Sequence, residues 1–284
     1  MAMTTGTYTT ILYEVDGPVA VITLNRPDRL NAIGGAMQTE LRHAMATAER
    51  DTSVVGIVLT GAGRGFCAGV DMDGLEDLAA AENPNPFADD PGDVLIPGGA
   101  ERDADYERSV TFVMAVRKPV VGAINGPAAG MGLGLAAACD VRFAAENAFF
   151  VNAFAQRGLT GEHATTWLLP RLMGHARALD MMWTGRRVSA QEAQQCGLVN
   201  EVVPSEELLE AATEYVRTLA RTAAPRSLMH IKQQTYRDLM RPLGPAMEDS
   251  EARALVSLNW PDFAEGVAAF QERREPNFPE LDLS

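Results

Sequence analysis

The amino-acid sequence predicts an α/β protein whose last third is mainly helical. Short apolar, β-branched segments alternate with segments of helical periodicity as far as about residue 160. This alternation favours parallel β-strands joined by right-handed crossovers. The chain has 284 residues, 46% of them hydrophobic, which is enough for one large domain or for one domain with a helical appendage.

The chain opens with a predicted hairpin followed by a helix. Two β-branched runs, residues 9–14 and Val19–Leu24, flank Asp16-Gly17, a dipeptide that suits a tight turn. Apolar residues then recur at helical spacing over residues 35–49. Asn31 is the predicted cap of this helix, because its short polar side chain can accept a bond from the first turn.

The next elements continue the alternation. A buried strand is predicted over residues 54–60, and a helix over 105–117 ends before Pro119. Pro119 opens the predicted strand Val120–Ile124. A Gly-rich turn, a helix of small residues and a strand over 141–144 follow.

Two regions are predicted. Residues 1–200 form the α/β core, with a loop insertion at 81–104 that is dense in Pro, Asn, Asp and Gly. This insertion is open to two interpretations, a mobile flap or a solvent-exposed loop. Residues 201–284 form a helical region that packs its apolar faces on the core or on another subunit. Helix-start signals stand at Ser189, Ser205, Pro225 and Pro261.

Composition excludes several classes of function. A net charge of −14 and a pI near 4.7 argue against a nucleic-acid partner, since phosphate binding needs a basic face. No apolar run is long enough for a membrane span and no signal peptide is recognisable, so we expect a cytoplasmic protein without a membrane partner. Three widely spaced cysteines predict neither a disulfide framework nor a metal site.

Two stretches of small residues, 65–71 and 125–134, carry the strongest functional signal. Each follows an apolar strand and presents bare backbone N–H groups. Two such donors directed at one carbonyl oxygen form an oxyanion hole, which stabilises charge that develops during reaction. Carbonyl chemistry is therefore indicated. A dinucleotide-binding loop at 61–65 is disfavoured, because the spacing is not G-x-G-x-x-G and no clear helix start follows.

The order of several short motifs extends this interpretation over nearly the whole chain. They are Leu24-Asn25-Arg26-Pro27, Phe66-Cys67-Ala68-Gly69-Val70-Asp71, Lys118-Pro119 before Asn125-Gly126, Cys139-Asp140, Leu169-Pro170-Arg171, Thr184-Gly185-Arg186, Gly197-Leu198-Val199 and Phe270-Gln271-Glu272-Arg273-Arg274. In this order the motifs resemble the crotonase, or enoyl-CoA hydratase/isomerase, superfamily. The resemblance implies a spiral of ββα units, C-terminal helices that build a homotrimer or hexamer, and an acyl-CoA substrate. It implies no cofactor other than the coenzyme A of that thioester.

The resemblance also implies site residues. The oxyanion donors correspond to the N–H groups of Ala68 and Met131, and substrate-binding positions in the same stretches are Gly69, Val70, Asp71 and Gly130. Glycines there let the backbone approach the ligand closely. For the coenzyme A end, Arg26, Arg29 and Arg273 correspond to phosphate-binding positions, because arginine can hold phosphate bidentately. Ordinary surface ion pairing is an equal alternative for each arginine.

The chain departs from the family pattern at the catalytic acids. Gly134 and Phe154 stand where hydratases of the family carry two glutamates, and neither can transfer a proton. Glu162 is the candidate replacement, because its segment is similar to the one that carries the single catalytic glutamate of peroxisomal-type Δ3,Δ2-enoyl-CoA isomerases. In aryl-CoA dehalogenases of the family an aspartate nucleophile occupies this place.

Two alternatives concern this segment. Glu162 can instead be a helix N-terminal carboxylate that satisfies backbone donors. His163 would point elsewhere if Glu162 began a helix, so a second acid/base role for it is the less favoured interpretation.

These observations predict an enoyl-CoA isomerase in which Glu162 shuttles a proton. The alternatives are a hydratase with a single glutamate, hydrolysis or dehalogenation with Glu162 as nucleophile, and a non-catalytic acyl-CoA-binding protein. The acyl chain is left open, because pocket depth depends on how the insertion folds.

Overall fold

A six-stranded sheet lies at the centre of the molecule in the computed structural model, which describes residues 8–71, 80, 95, 97–99 and 104–283. The predicted insertion therefore falls largely outside the described residues. The strands are β1 (Ile11–Asp16), β2 (Val19–Leu24), β3 (Gly56–Gly61), β4 (Val120–Ile124), β5 (Ala128–Ala129), β6 (Val141–Ala145), β7 (Phe149–Val151), β8 (Val188–Ser189) and β9 (Glu201–Val203).

The main sheet has the order β1-β2-β3-β4-β6-β9. Only the β1–β2 hairpin is antiparallel, and the other pairs are parallel. Since parallel strands end at one edge, the chain segments that follow β3 and β4 emerge side by side. A second sheet, β5-β7-β8, continues from this edge.

The helices pack around these sheets. They are α1 (Met37–Arg50), α2 (Phe112–Ala115), α3 (Met131–Ala138), α4 (Thr165–Met173), α5 (His175–Thr184), α6 (Ala190–Gln195), α7 (Leu208–Thr222), α8 (Pro225–Asp238), α9 (Leu243–Ser257) and α10 (Pro261–Glu272). Among the described residues, none of these helices is long and apolar enough to cross a membrane.

Most element predictions are confirmed. The hairpin turns at Asp16-Gly17, and the predicted bounds of β2 and β4 match. Pro225 and Pro261 each begin a helix, and the Ser189 side chain accepts a bond from the Glu192 N–H at the start of α6. Rigid Pro φ and a short hydroxyl side chain are local signals, so they survive in the folded chain.

Two local predictions are wrong. Asn31 does not cap α1, which begins at Met37; its buried side-chain amide donates to the carbonyl oxygens of Ala62 and Gly65 at 2.9 and 2.7 Å. It therefore holds the loop after β3. The helix predicted over 105–117 is reduced to α2 and a 3₁₀ turn, because Ser109 takes a left-handed φ of 46° that a continuous helix excludes.

The core extends beyond the predicted boundary at residue 200. β9 pairs with β6, and α7 packs on β3, β4 and β6. Helices α8 to α10 contribute few buried side chains and expose large apolar ones, among them Leu243, Leu255 and Phe270 at 78%, 68% and 86% exposure.

Candidate active site

The two Gly-rich stretches lie against each other at the edge of the main sheet. The Cys67 N–H donates to the Pro127 carbonyl oxygen at 3.0 Å, and the Ala129 N–H donates to the Cys67 oxygen at 2.9 Å. These bonds fix the first stretch alongside β5. The N–H groups that follow in each stretch are therefore held by regular backbone pairing rather than by a free loop.

The prediction that Ala68 supplies an oxyanion donor is wrong for this structure. The Ala68 N–H donates to the Leu30 carbonyl oxygen at 3.0 Å. In extended chain, successive N–H groups point to opposite sides, and Cys67 already faces β5. The Ala68 N–H therefore points away from β5 and is occupied.

The N–H of Val70 is the available donor in this stretch. The Ile33 N–H donates to the Gly69 oxygen at 2.7 Å, and the Asp71 N–H donates to the Ile33 oxygen at 3.0 Å. Both bonds lie on the edge facing Ile33, so the intervening Val70 N–H faces the other edge. It forms no hydrogen bond with any residue that the structure describes.

Met131 places a second N–H beside the first, and it too has no hydrogen-bond partner in the part of the chain that the structure describes. It is the first residue of α3, where backbone donors lack an intrahelical partner and the helix dipole is positive. Its nitrogen lies 3.6 Å from the position that a Cβ on Gly69 would occupy. Gly69 itself has φ 103°, and a Cβ there would meet the Ala129 oxygen at 2.9 Å. Glycine is therefore required for the two stretches to meet.

Glu162 lies just before α4 and does not act as a helix cap. The N–H and hydroxyl of Thr165 both donate to the Glu162 carbonyl oxygen, at 3.0 and 2.7 Å. The Glu162 carboxylate accepts no hydrogen bond from backbone N–H groups of the described residues. The alternative of a structural N-terminal carboxylate is therefore wrong.

The His163 side chain points to the same place as Glu162. Its Nε2 is 3.6 Å from Glu162 Oε2, and its Nδ1 is 2.6 Å from Ser109 Oγ. The expectation that His163 would point elsewhere fails because the helix begins only at Thr165. His163 and Ala164 both take left-handed φ values, 51° and 59°, which turn the chain before the helix.

The two positions that lack glutamates face this segment. A Cβ on Gly134 would lie 2.8 Å from the His163 carbonyl oxygen and 3.1 Å from its Cβ. The ring of Phe154 lies 5.9 Å from the His163 ring, centroid to centroid, and 3.7 Å from the Cβ position of Gly130. Gly130, Gly134 and Phe154 thus surround the Glu162–His163 segment instead of supplying carboxylates.

Burial sets the charge of the groups in this site. Desolvation raises the pKa of Glu162 above its ordinary value, since it disfavours the carboxylate. Desolvation also lowers the pKa of His163 to about 4, so the imidazole is neutral near pH 7. Burial raises the pKa of the Cys67 thiol to about 12. Cys67 is therefore a packing residue.

The three arginines that are predicted to bind coenzyme A differ in their ion-pair partners and in their exposure. Arg26 is committed to an ion pair of 2.6 Å with Asp71 and to the Ala32 carbonyl oxygen at 2.7 Å. Arg29 reaches the same carboxylate at 3.3 Å but remains 47% exposed. Asp71 is thus a buried partner of both arginines rather than a substrate ligand. Arg273 lies exposed at the end of α10 and forms no ion pair with a described residue.

Sequence reasoning did not identify Ser109, and it chose Ala68 instead of the available Val70 N–H. Strand alternation could not have corrected the donor, because it places the N–H groups of Ala68 and Val70 on the same side, and only the positive φ of Gly69 breaks that alternation in the structure. Ser109 gives no sequence signal: it lies 54 residues from His163, and only the fold brings the two together.

The alternating strands and helices and the paired donors define a crotonase fold, as predicted. The model for the family described as "Enoyl-CoA hydratase/isomerase" matches residues 14–90 and 98–281, and the chain belongs to this family. It is therefore an acyl-CoA enzyme of that family.

Individual relatives agree over the full length. The chain is 36% identical to the 1,2-epoxyphenylacetyl-CoA isomerase of Escherichia coli over 268 residues, covering 94% of this chain and 97% of that protein. It is 38% identical to a "Probable enoyl-CoA hydratase" of Rhodobacter capsulatus over 273 residues, with coverages of 95% and 98%. A crystal structure of an enoyl-CoA hydratase subunit I from Geobacillus kaustophilus is 33% identical, with a TM-score of 0.81 and coverages of 95% and 98%.

Proposed function

We propose that this protein shifts a double bond within an enoyl-CoA thioester. The observation that carries the proposal is the environment of Glu162. Its carboxylate is partly desolvated, accepts no backbone hydrogen bond from the described residues and lies next to the segment that fills the space beside Gly134. It has the character of a proton carrier at a site where both glutamates of the hydration mechanism are missing.

The thioester oxygen would bind between the N–H groups of Val70 and Met131. Negative charge grows on this oxygen when a proton leaves C2 and an enolate forms. A single oxyanion donor contributes roughly 3 to 4 kcal/mol to lowering such a barrier. The positive end of α3 adds to the effect at Met131.

One carboxylate is sufficient for the shift. Glu162 takes the C2 proton of a 3-enoyl thioester, the double bond moves through the dienolate, and Glu162 returns a proton to C4, either the one it took or one exchanged with water in the meantime. Protons and electrons balance, and no cofactor is needed besides the coenzyme A of the substrate. The similarity of this segment to the isomerase segment with a single glutamate supports the same assignment.

Incubation in deuterated water with a 3-enoyl-CoA and a 2-enoyl-CoA tests the proposal. We expect interconversion of the two isomers with exchange at C2 or C4. Glu162→Gln should abolish turnover and leave thioester affinity nearly unchanged, whereas Glu146→Gln, at an exposed glutamate, should have no effect. Full activity of Glu162→Gln would remove Glu162 from the chemistry.

The other functions give different products. Addition of water to the 2-enoyl-CoA would make the protein a hydratase with a single glutamate, a function that the name of the Rhodobacter relative favours. Release of free coenzyme A through an acyl-enzyme would make Glu162 a nucleophile. Tight binding of both thioesters without turnover or exchange would leave a non-catalytic binding protein.

For the coenzyme A end we propose Arg273 and Arg29 as phosphate ligands, because both guanidinium groups are exposed. Arg26 is less suited, since Asp71 and the Ala32 carbonyl already hold it. Arg273→Ala should raise KM for acyl-CoA with little change in kcat, and a KM equal to that of the unmodified protein would exclude it.

We propose a homotrimer, or a hexamer of two trimers, as the assembled state. The exposed apolar side chains of α8 to α10 support this, since such patches mark interaction surfaces. Light scattering coupled to size-exclusion chromatography should give three or six times the chain mass of 30.5 kDa. A monomeric mass would refute it.

A further inference from the structure

We propose that His163, held by Ser109, is a positioning residue that keeps the Glu162 carboxylate ionised and turned toward the substrate. This inference rests on the proposed function, because it concerns how the proton carrier of that reaction is held. Its basis is a chain of three polar side chains, in which His163 contacts its sequence neighbour Glu162 on one side and, on the other, Ser109, which lies 54 residues away along the chain.

The contacts determine which ring nitrogen carries the proton. His163 is neutral near pH 7, so its ring has one N–H. A carboxylate only accepts hydrogen bonds, so the arrangement without repulsion puts the proton on Nε2, which faces Glu162 Oε2. Nδ1 then becomes an acceptor, and the Ser109 hydroxyl donates to it at 2.6 Å.

The backbone shows that this chain of contacts is built into the fold. Both Ser109 and His163 hold left-handed φ values, which are costly for residues other than glycine and are concentrated at functional sites. The Gln38 amide of α1 donates to the Ser109 carbonyl oxygen at 3.3 Å, and the turn of Ser109 is thereby tied to a core helix. Gly134 leaves the space that the His163 backbone fills.

The distance between His163 and Glu162 suits a shuttle. The Nε2–H group attracts the carboxylate, but the distance of 3.6 Å between Nε2 and Oε2 is longer than a full hydrogen bond. The Nε2–H therefore opposes the desolvation that raises the Glu162 pKa, and without a fixed hydrogen bond the carboxylate can still swing between C2 and C4. Among the described residues, no charged group shifts the pKa of either side chain, and burial alone accounts for both shifts. Ser109, Val110, Gly134 and Phe154 are uncharged neighbours.

Two substitutions at His163 separate its contacts. His163→Asn suits the left-handed backbone and can still reach Ser109, but its amide is too short for Glu162. It should lower kcat about two- to tenfold with little change in KM, because the N–H that attracts the carboxylate across 3.6 Å is lost. Without that donor the Glu162 pKa rises, so the acid limb of the kcat–pH profile should move to higher pH.

His163→Gln and Ser109→Ala complete the test. The Gln amide nitrogen reaches the level of Nε2 and should recover much of kcat and the original acid limb. Ser109→Ala should lower kcat about two- to tenfold, and its effect should not add to that of His163→Asn. Thr111→Ala is the matched control, because that hydroxyl bonds only to the Arg108 and Asp105 carbonyl oxygens of the same turn.

The outcomes distinguish the two proposals. If Glu162→Gln is inactive but His163→Asn keeps the kcat and pH profile of the unmodified protein, the positioning role is refuted and the isomerase proposal stands. If Glu162→Gln is fully active, the proposed function itself fails. Thermal unfolding of each variant shows that losses of kcat occur in folded protein.

Discussion

Adding a methyl group at Gly134 tests how tightly the Glu162–His163 segment is held against α3. Gly134→Ala places a Cβ 2.8 Å from the His163 carbonyl oxygen, 3.1 Å from its Cβ and 3.5 Å from Val110 Cγ2. Alanine is favoured over glycine inside a helix by about 1 kcal/mol. Overpacking against a backbone oxygen costs about 1 to 3 kcal/mol. We therefore expect a net destabilisation of up to about 2 kcal/mol.

A second helical glycine supplies the matched control. Gly266, in the middle of α10, has only ordinary van der Waals contacts at its Cβ position, with Phe278 Cε1 and Cζ at 3.7 and 3.8 Å. Gly266→Ala should therefore show only the gain in helix propensity, roughly 0.5 to 1 kcal/mol. Because 1 kcal/mol corresponds to about 2 to 4 °C for a chain above 150 residues, the two variants should shift Tm in opposite directions when measured at one protein concentration.

Activity provides the second measurement. Displacement of His163 carries the adjacent Glu162 with it, so Gly134→Ala should also lower kcat/KM, while Gly266→Ala should not. A glutamate at position 134 should give no hydration, because its side chain must first displace the segment that carries Glu162. If Gly134→Ala raised Tm as Gly266→Ala is expected to do and kept full activity, the close contact between α3 and His163 would be refuted.

Three further predictions concern single groups. Burial lowers the pKa of His163 in the folded protein to about 4, against 6.5 in the unfolded chain, so the unfolded chain takes up this proton first as pH falls. The free energy of unfolding should therefore drop by about 3 kcal/mol between pH 6.5 and 4, and urea titrations of His163→Asn should lack this part of the drop. Asp71→Asn should lower the free energy of unfolding by about 1 to 3 kcal/mol, because two arginines lose a mostly buried carboxylate partner. An equal loss in Asp180→Asn, which breaks an exposed ion pair, would contradict this reasoning. Gly69→Ala, at φ 103°, should lower kcat at least tenfold by moving the Val70 N–H, and an unchanged kcat in steady-state assays would exclude this donor.

The fold was predictable because its signals are local. Asp16-Gly17 makes a turn with its immediate neighbours, and Pro225 and Pro261 fix the backbone at their own positions. Asn31 shows the limit of such reasoning. Its side chain would suit a nearby helix end, but it bonds carbonyl groups 31 and 34 residues away, after β3 has folded beside it. Asn31 therefore bonds to residues that are distant in the sequence and not to the nearby helix end.

The candidate site also has one part that the sequence predicts and another that depends on the folded structure. Glu162 and the Gly-rich stretches follow from residue type and order along the chain. The choice between Ala68 and Val70 depends on which N–H the neighbouring strand leaves free, and this requires the pairing with Leu30 and Ile33. Residue type alone cannot distinguish the two donors, since any residue but proline has the same N–H.

Gly134 and His163 are best understood as one feature rather than two. A glutamate at position 134 needs the space that the His163 backbone occupies, and His163 reaches this space only through two consecutive left-handed residues before α4. Exchange of one residue therefore cannot restore a two-glutamate site. Conversion would require moving the turn at 161–164 as well, and that movement would release the contact between Ser109 and His163 and change the surroundings of Glu162. The missing glutamate and the new one are physically coupled, because the chain cannot hold both in this backbone.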